Sequence, residues 1–343
     1  MPPSEDQFTG CLIGQCVGDA GGFMVEGSSP EVCRRYADAV LLAGQPYEGR
    51  RSGFTFGQYS DDSQLARELV QSYVDRGRFD PADYAARIAA LFSEGRVVGA
   101  GWSTAQAAAR LADGVPWERS GTPSPSAGNG SAMRAAPIGL IFHDDPEALI
   151  AAAHDQGRMT HADPRCSAGA VAIAGAVANV LAGNLPENPT EKSLEPAVLL
   201  DVLATLAARF NRDVADALRQ LVAIIPLAPD AAVGAIIEAG QPDLGDPPVG
   251  IHPFVTTSVM WSLYSFLRSP EDYVRVIHTA VAVGGDVDTT AAMAGAIAGA
   301  RNGVGAIPAA LIAPLNDRGQ WRSDELIGLG RRLWRLKGGR PPG

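Results

Sequence analysis

Apolar residues recur at intervals of three and four along most of the chain, and that spacing predicts helices. The segments SQLARELVQSYVD, PADYAARIAALFSEG, TAQAAARLADG, DPEALIAAAHDQG, CSAGAVAIAGAVANVLAG, AVLLDVLATLAARFN, DVADALRQLVAII and DAAVGAIIEAG each gather Leu, Ile, Val and Ala into such a pattern. No series of alternating apolar and polar positions marks a set of strands. The reading is therefore a mostly α-helical chain with Gly- and Pro-rich connections.

Two of the predicted helices carry small residues on nearly every face, one around 168–183 and one around 289–303. A helix without a polar face is normally enclosed by others, so these two are expected to form the centre of the fold. The stretches NLPENPTEKSLEP (184–196) and QPDLGDPPVGIHP (241–253) read as surface loops. RRLWRLKGGRPPG reads as a short helix running into a flexible tail over 336–343, leaving 1–335 as one expected domain.

Composition narrows the function classes. Apolar residues make up 46% and aromatic residues only 6%, so the core must be built from aliphatic side chains and alanine at close approach. A formal charge of -10 argues against a nucleic-acid backbone binder, which needs a basic stripe. Cys11, Cys16, Cys33 and Cys166 show neither a CxxC pair nor a zinc-finger spacing, and are expected to be reduced, buried thiols. The start MPPSEDQFTG lacks a basic region followed by an apolar run, and the apolar runs elsewhere are interrupted; a cytoplasmic protein without a membrane span is expected.

Three acidic clusters stand out, each read as a loop beside a helix. They are CLIGQCVGDAGGFMVEG with Asp19 and Glu26, YSDDSQLARELV with Ser60 to Ser63, and VGGDVDTT with Asp286, Asp288, Thr289 and Thr290. Ser or Asp at a helix start caps free backbone N–H groups, and one such acceptor is enough. The last cluster exceeds that need, and hard oxygen donors of this kind suit Mg²⁺, Mn²⁺ or Ca²⁺. The loop lacks the glycine and terminal glutamate of an EF-hand. DVDTT also spells the nucleophile motif of haloacid-dehalogenase phosphatases, but it lies late in a helical chain rather than after a buried strand, and only Lys337 follows it.

Read in order, GCLIGQCVGDAGG, SDDS, GNGSAMRAAPIGL, THADPRCSAGAV and GGDVDTTAAMAGAIAGARNG resemble the ADP-ribosylglycohydrolase family over residues 8 to 310. The resemblance implies an all-α, compact orthogonal multi-helix bundle forming one domain. It implies two Mg²⁺ (or Mn²⁺) ions held by Ser60, Asp61, Asp62, Asp286, Asp288 and Thr289. Val287 stands between the aspartates where the family often has Thr. The implied catalytic carboxylates are Glu26, Asp61 and Asp62, because cleavage at a ribosyl C1″ develops positive charge or needs an activated water. Asn129, Gly130, Ser131, Met133 and His161 are implied to line an ADP-ribose cleft, with Arg134 supporting the loop. Asp163 and Pro164 read as the N-cap and first residue of the next helix. Trp102 or Trp117 is available to stack on adenine or to pack in the core.

The expected activity is metal-dependent removal of ADP-ribose from a modified protein side chain by a monomer. The alternatives are hydrolysis of an ADP-ribosyl small molecule or nucleoside conjugate, and a catalytically silent ADP-ribose binder.

Overall fold

The computed structural model describes residues 2–181, 194–241 and 249–338. Most of the two Pro-containing connections and the end of the tail, residues 339–343, lie outside the described residues. Helices succeed one another almost without interruption: α1 (Glu5–Phe23), α2 (Pro30–Tyr36), α3 (Asp61–Arg76), α4 (Pro81–Ser93), α5 (Trp102–Ala112) and α6 (Ala136–Ile141) in the first part. Then come α7 (Pro146–Arg158), α8 (Pro164–Leu181), α9 (Pro196–Ala207), α10 (Arg212–Ile224) and α11 (Pro229–Gly240). The last group is α12 (Val255–Arg268), α13 (Tyr273–Val281), α14 (Val287–Asn302), α15 (Ala309–Ile312) and α16 (Ser323–Leu336). A short antiparallel hairpin, β1 (Arg50–Arg51) and β2 (Phe54–Thr55), is the only sheet among the described residues.

Helix starts follow local chemistry. Asp80, Asp145, Asn211 and Asp272 each accept a hydrogen bond from the backbone N–H three residues on, satisfying a donor the helix cannot. Proline occupies the first turn of α4 and α7, where its missing N–H costs nothing. Asp163 likewise accepts from the Arg165 N–H at 2.9 Å, directly before α8.

The centre of the fold differs from the sequence expectation in one respect. GCLIGQCVGDAGGF, read as a glycine-rich loop, is the buried body of α1, and its closest partner is α14. Glycine inside a helix costs up to about 1 kcal/mol relative to alanine, so its repetition needs a tertiary reason. That reason is contact. A Cβ on Gly10 would stand 2.4 Å from Gly299 O, on Gly14 2.3 Å from Gly295 O, and on Gly18 2.1 Å from Ala291 O. Glycines four apart thus form one bare face along which the two backbones run antiparallel.

Helix α8 is long and apolar enough to cross a bilayer by length and composition, yet it is enclosed by α6, α7, α9, α12 and α14. One continuous cluster of buried side chains joins these helices from Phe8 to Trp334. All four cysteines are buried and free. Behind α3, Arg67 is buried against Glu68 and Asp317, and Gln64 donates to the same Asp317 carboxylate at 2.9 Å. This anchor ties the α3 helix to the turn before α16.

Candidate functional site: an acidic cleft

The starts of α3, α5 and α14 converge on one cavity of about 330 Å³. Its walls include Glu26, Asp61, Asp62, Asp286, Asp288 and Thr289 on one side, and Asn129, Gly130, Met133 and His161 on the other. Two stretches more than 200 residues apart in sequence meet directly: Thr289 Oγ1 donates toward Asp62 Oδ2 at 3.3 Å and Asp286 Oδ1 at 3.1 Å.

At α3, the capping role belongs to Ser60, whose Oγ accepts from the Asp62 N–H at 3.3 Å and donates to Asp62 Oδ2 at 2.9 Å. Ser60 is fully buried beneath the cavity rather than on its wall. Asp19 on α1 locks this turn from below, accepting from the Ser60 N–H at 2.9 Å and the Ser63 N–H at 3.0 Å. Asp61 and Asp62 both line the cleft, Asp62 with its Oδ2 held by Ser60 and Thr289.

At α14, Gly284 and Gly285 take positive φ, at 78° and 88°, in a turn that crosses Ile251; a Cβ on Gly285 would stand 2.2 Å from Ile251 O. The Asp286 N–H donates to that same carbonyl at 2.8 Å. Asp286 is the N-cap residue, but its side chain makes no capping hydrogen bond. Instead it receives the Asn129 amide, which also donates to Ser258 Oγ at 3.0 Å. The surplus acidity is thus turned into the cavity.

Carboxylate oxygens of Asp19, Asp62 and Asp288 approach within 4.8 Å of one another, as do those of Glu26, Asp286 and Asp288. Asp288 belongs to both groups. Burial is the main cause that raises the carboxyls of Asp61, Asp62 and Asp288 well above the ordinary range, and the charge of neighbouring carboxylates adds to it. Burial also holds Asp19 and Asp286 up to about 6, against the hydrogen bonds that Ser60, Ser63 and Asn129 contribute. Asp62 Oδ1 is buried with no hydrogen-bond partner. A cluster of this kind, all hard oxygen and with an orphaned buried acceptor, fits divalent cations of the Mg²⁺ type.

Glu26 follows α1 in the loop, partly buried at the cleft edge. The hairpin holds it: Arg51 Nη2 lies 2.6 Å from Glu26 Oε2, Arg51 Nη1 donates to the Glu26 carbonyl at 2.6 Å, and the guanidinium rests on Phe23.

On the opposite wall, Gly128 and Gly130 lie against the imidazole of His161; a Cβ on Gly130 would stand 2.5 Å from its Cε1. Burial, with the Arg134 charge adding to it, pushes the His161 pKa down to about 3. Ser131, expected to line the cleft, does not reach it. The residue is fully buried and its hydroxyl donates to the Cys166 carbonyl at 2.8 Å, because the tight turn after Gly130 points it into the core.

Of the Gly99–Thr104 stretch, which lines the cavity, sequence reasoning named only Trp102; against the burial that raises the Asp61 carboxyl, the Gly101 backbone there acts to lower it. The glycines of VVGAGW between two predicted helices were the available signal. Trp102, 69% exposed, stands on the rim, whereas Trp117 lies outside the cavity under Arg158. Gln15 was also missed: its amide donates to the Asp62 carbonyl at 3.1 Å and the Met133 carbonyl at 3.0 Å, clipping both walls to α1.

A family model described as ADP-ribosylglycohydrolase matches residues 1–342. The chain is 30% identical to ADP-ribosylhydrolase ARH3 of Bos taurus, over 89% of this chain and 87% of that protein. It is 30% identical to an uncharacterized protein of Archaeoglobus fulgidus over 92% and 93% of the two chains. ADP-ribosylarginine hydrolase Tri1 of Serratia proteamaculans is 25% identical, over 90% of this chain and 75% of that one. A solved structure titled ADP-ribosylglycohydrolase-related protein complex superposes with a TM-score of 0.70 at 26% identity, covering 97% of this chain and 98% of the other.

Proposed function

Because the chain belongs to the ADP-ribosylglycohydrolase family, we propose that it is a metal-dependent hydrolase that releases ADP-ribose from a modified protein side chain. The observation that carries this reading is the meeting of Asp62 and Asp288 in one cleft, with Asp288 common to two groups of carboxylates. A silent binder of ADP-ribose has no use for so costly a concentration of buried charge.

Asp62, Asp286 and Asp288 are the residues that would hold the cations, with Asp61 and Thr289 completing the set; Ser60, expected among the ligands, instead holds Asp62 from beneath. Divalent ions there supply positive charge that orients ribose hydroxyls and makes a water more acidic. Glu26, steadied by Arg51, takes a proton from the attacking water as the water oxygen bonds to C1″, and the acceptor leaves with the bonding pair and takes up a proton from solvent. The negative charge of Asp61 and Asp62 stabilises the oxocarbenium-like carbon. Asn129, Gly130, Met133 and His161 hold the ligand on the other wall. The two Gly residues beside His161 allow a phosphate or ribose to approach the backbone closely.

Calorimetry with ADP-ribose, with and without Mg²⁺ or Mn²⁺, followed by release assays on Arg- and Ser-linked substrates, tests the reading. Metal-supported binding and release from at least one linkage is expected. Metal-independent binding with release from neither would overturn it.

A further inference from the structure

His161 ends a buried chain of hydrogen bonds whose direction can be worked out donor by donor. Arg134 is fully buried and forms no salt bridge among the described residues. Its Nε donates to Gln156 Oε1 at 2.9 Å, and its Nη2 donates to the Gln156 carbonyl at 2.8 Å and to Thr160 Oγ1 at 2.6 Å. A guanidinium has no acceptor, so Thr160 Oγ1 must accept from it.

The single hydroxyl proton of Thr160 then has two acceptors within reach, the Gly157 carbonyl at 3.3 Å and His161 Nδ1 at 2.9 Å. The Gly157 carbonyl already takes three backbone N–H groups, those of Met159, Thr160 at 3.1 Å and His161 at 3.0 Å, and is the more distant of the two acceptors. The hydroxyl proton therefore goes to Nδ1. An imidazole that accepts at Nδ1 and stays neutral carries its own proton on Nε2.

Nε2 lies on the cleft side of the ring, where a Cβ on Gly128 would stand 3.2 Å away and one on Gly130 3.1 Å away. No protein group among the described residues accepts from it, and His161 lines the cavity. We propose that Arg134 and Thr160 are positioning residues that lock His161 in the Nε2–H tautomer, making it an uncharged hydrogen-bond donor to a ligand oxygen and not a base. The tautomer rests on the crowding of the Gly157 carbonyl and the shorter Thr160 Oγ1 to Nδ1 distance of 2.9 Å. Its use toward a phosphate or ribose oxygen rests on the ADP-ribose reading above.

The decisive measurement is a long-range ¹H–¹⁵N correlation spectrum of the full chain labelled with ¹⁵N-histidine, its His161 signals identified by their loss in His161→Asn. The expected pattern has a protonated Nε2 and an unprotonated Nδ1, unchanged from about pH 5 to 8. A protonated Nδ1, or an imidazolium at neutral pH, would overturn the proposal. Thr160→Val is expected to mix the tautomers and raise both the ADP-ribose Kd and the substrate KM roughly tenfold, with far less change in kcat. Thr160→Ser is expected to restore both.

An unchanged tautomer and affinity in Thr160→Val would also refute the relay. Should that variant fail to fold, the spectrum of the unsubstituted protein decides alone. The Nε2–H pattern together with no ADP-ribose binding would leave the relay standing and remove the proposed function instead.

Discussion

Gly22 on α1 presses against Asp288 in the first turn of α14, so closely that a Cβ on Gly22 would stand 2.5 Å from the Asp288 Cα. The neighbour here is backbone, which cannot swing aside. Gly22→Ala would raise helix propensity by up to about 1 kcal/mol if α1 stood alone. In the packed pair it is expected to cost about 1–3 kcal/mol and to displace the acidic turn. A lower urea midpoint with weakened Mn²⁺ binding is the expected result; a more stable protein with unchanged metal binding would contradict the packing argument.

Asp288 offers its carboxylate to both acidic groups. Asp288→Ala should reduce turnover by more than about a hundredfold, since loss of even an outer-shell partner at a metal site costs roughly ten- to a hundredfold. Far-UV circular dichroism should barely change. Retained activity would remove Asp288 from the proposed metal set.

The acidic cluster also predicts how stability varies with pH when cations are withheld. Asp19 and Asp286 keep their protons in the native state up to about 6, and Asp61, Asp62 and Asp288 to higher pH, all chiefly because of burial. Unfolded carboxyls ionise near about 3.9. Above that point the native state binds more protons than the unfolded chain, so this contribution to stability falls as pH rises through about 6 and beyond. In chelator, the melting temperature is expected to drop between about pH 5 and 7.5, and Mg²⁺ should raise it most at the upper end. A flat profile insensitive to Mg²⁺ would count against a cation site.

Glu26 is steadied by Arg51 at 2.6 Å. If it takes the proton from water, Glu26→Gln should lower kcat by about a hundredfold or more while ADP-ribose affinity stays nearly constant. A rise in KM with kcat intact would assign Glu26 to ligand closure instead.

Asp317 lies on the far side of α3, where it accepts from Arg67 Nη1 at 2.8 Å and from Gln64. Asp317→Ala would leave the buried Arg67 with only Glu68 as counter-charge. A loss of about 3 kcal/mol or more in denaturant unfolding is expected, because breaking a buried ion pair strands its partner. A loss below about 1 kcal/mol would indicate that Glu68 suffices.

The acidic cluster at 286–290 is legible in the sequence because its donors exceed what a cap requires, whereas Glu26, Asp61 and Asp62 were legible through the order of motifs. At α3 the cap is Ser60, and at α14 Asp286 caps nothing with its side chain. Ser131 was misplaced because a residue within a tight turn can face the ligand or the core, and only the neighbouring Cys166 carbonyl decides which. Gly101 left only the faint signal of the VVGAGW glycines, and Gln15 left none, since it acts through a contact that no local pattern encodes.

What the sequence determined by itself was the helical character of the chain, many of the helix starts and the two acidic turns. Apolar spacing, proline placement and cap chemistry act within a few residues and leave their mark there. The tertiary structure decided which surfaces meet. A helix bearing Gly10, Gly14, Gly18 and Gly22 looks like a loop until α14 lies along it, because the close approach that offsets the cost of glycine comes from a segment far away in the chain. That same approach sets Asp288 beside Asp19 and Asp62 and so makes two separate acidic turns into one site.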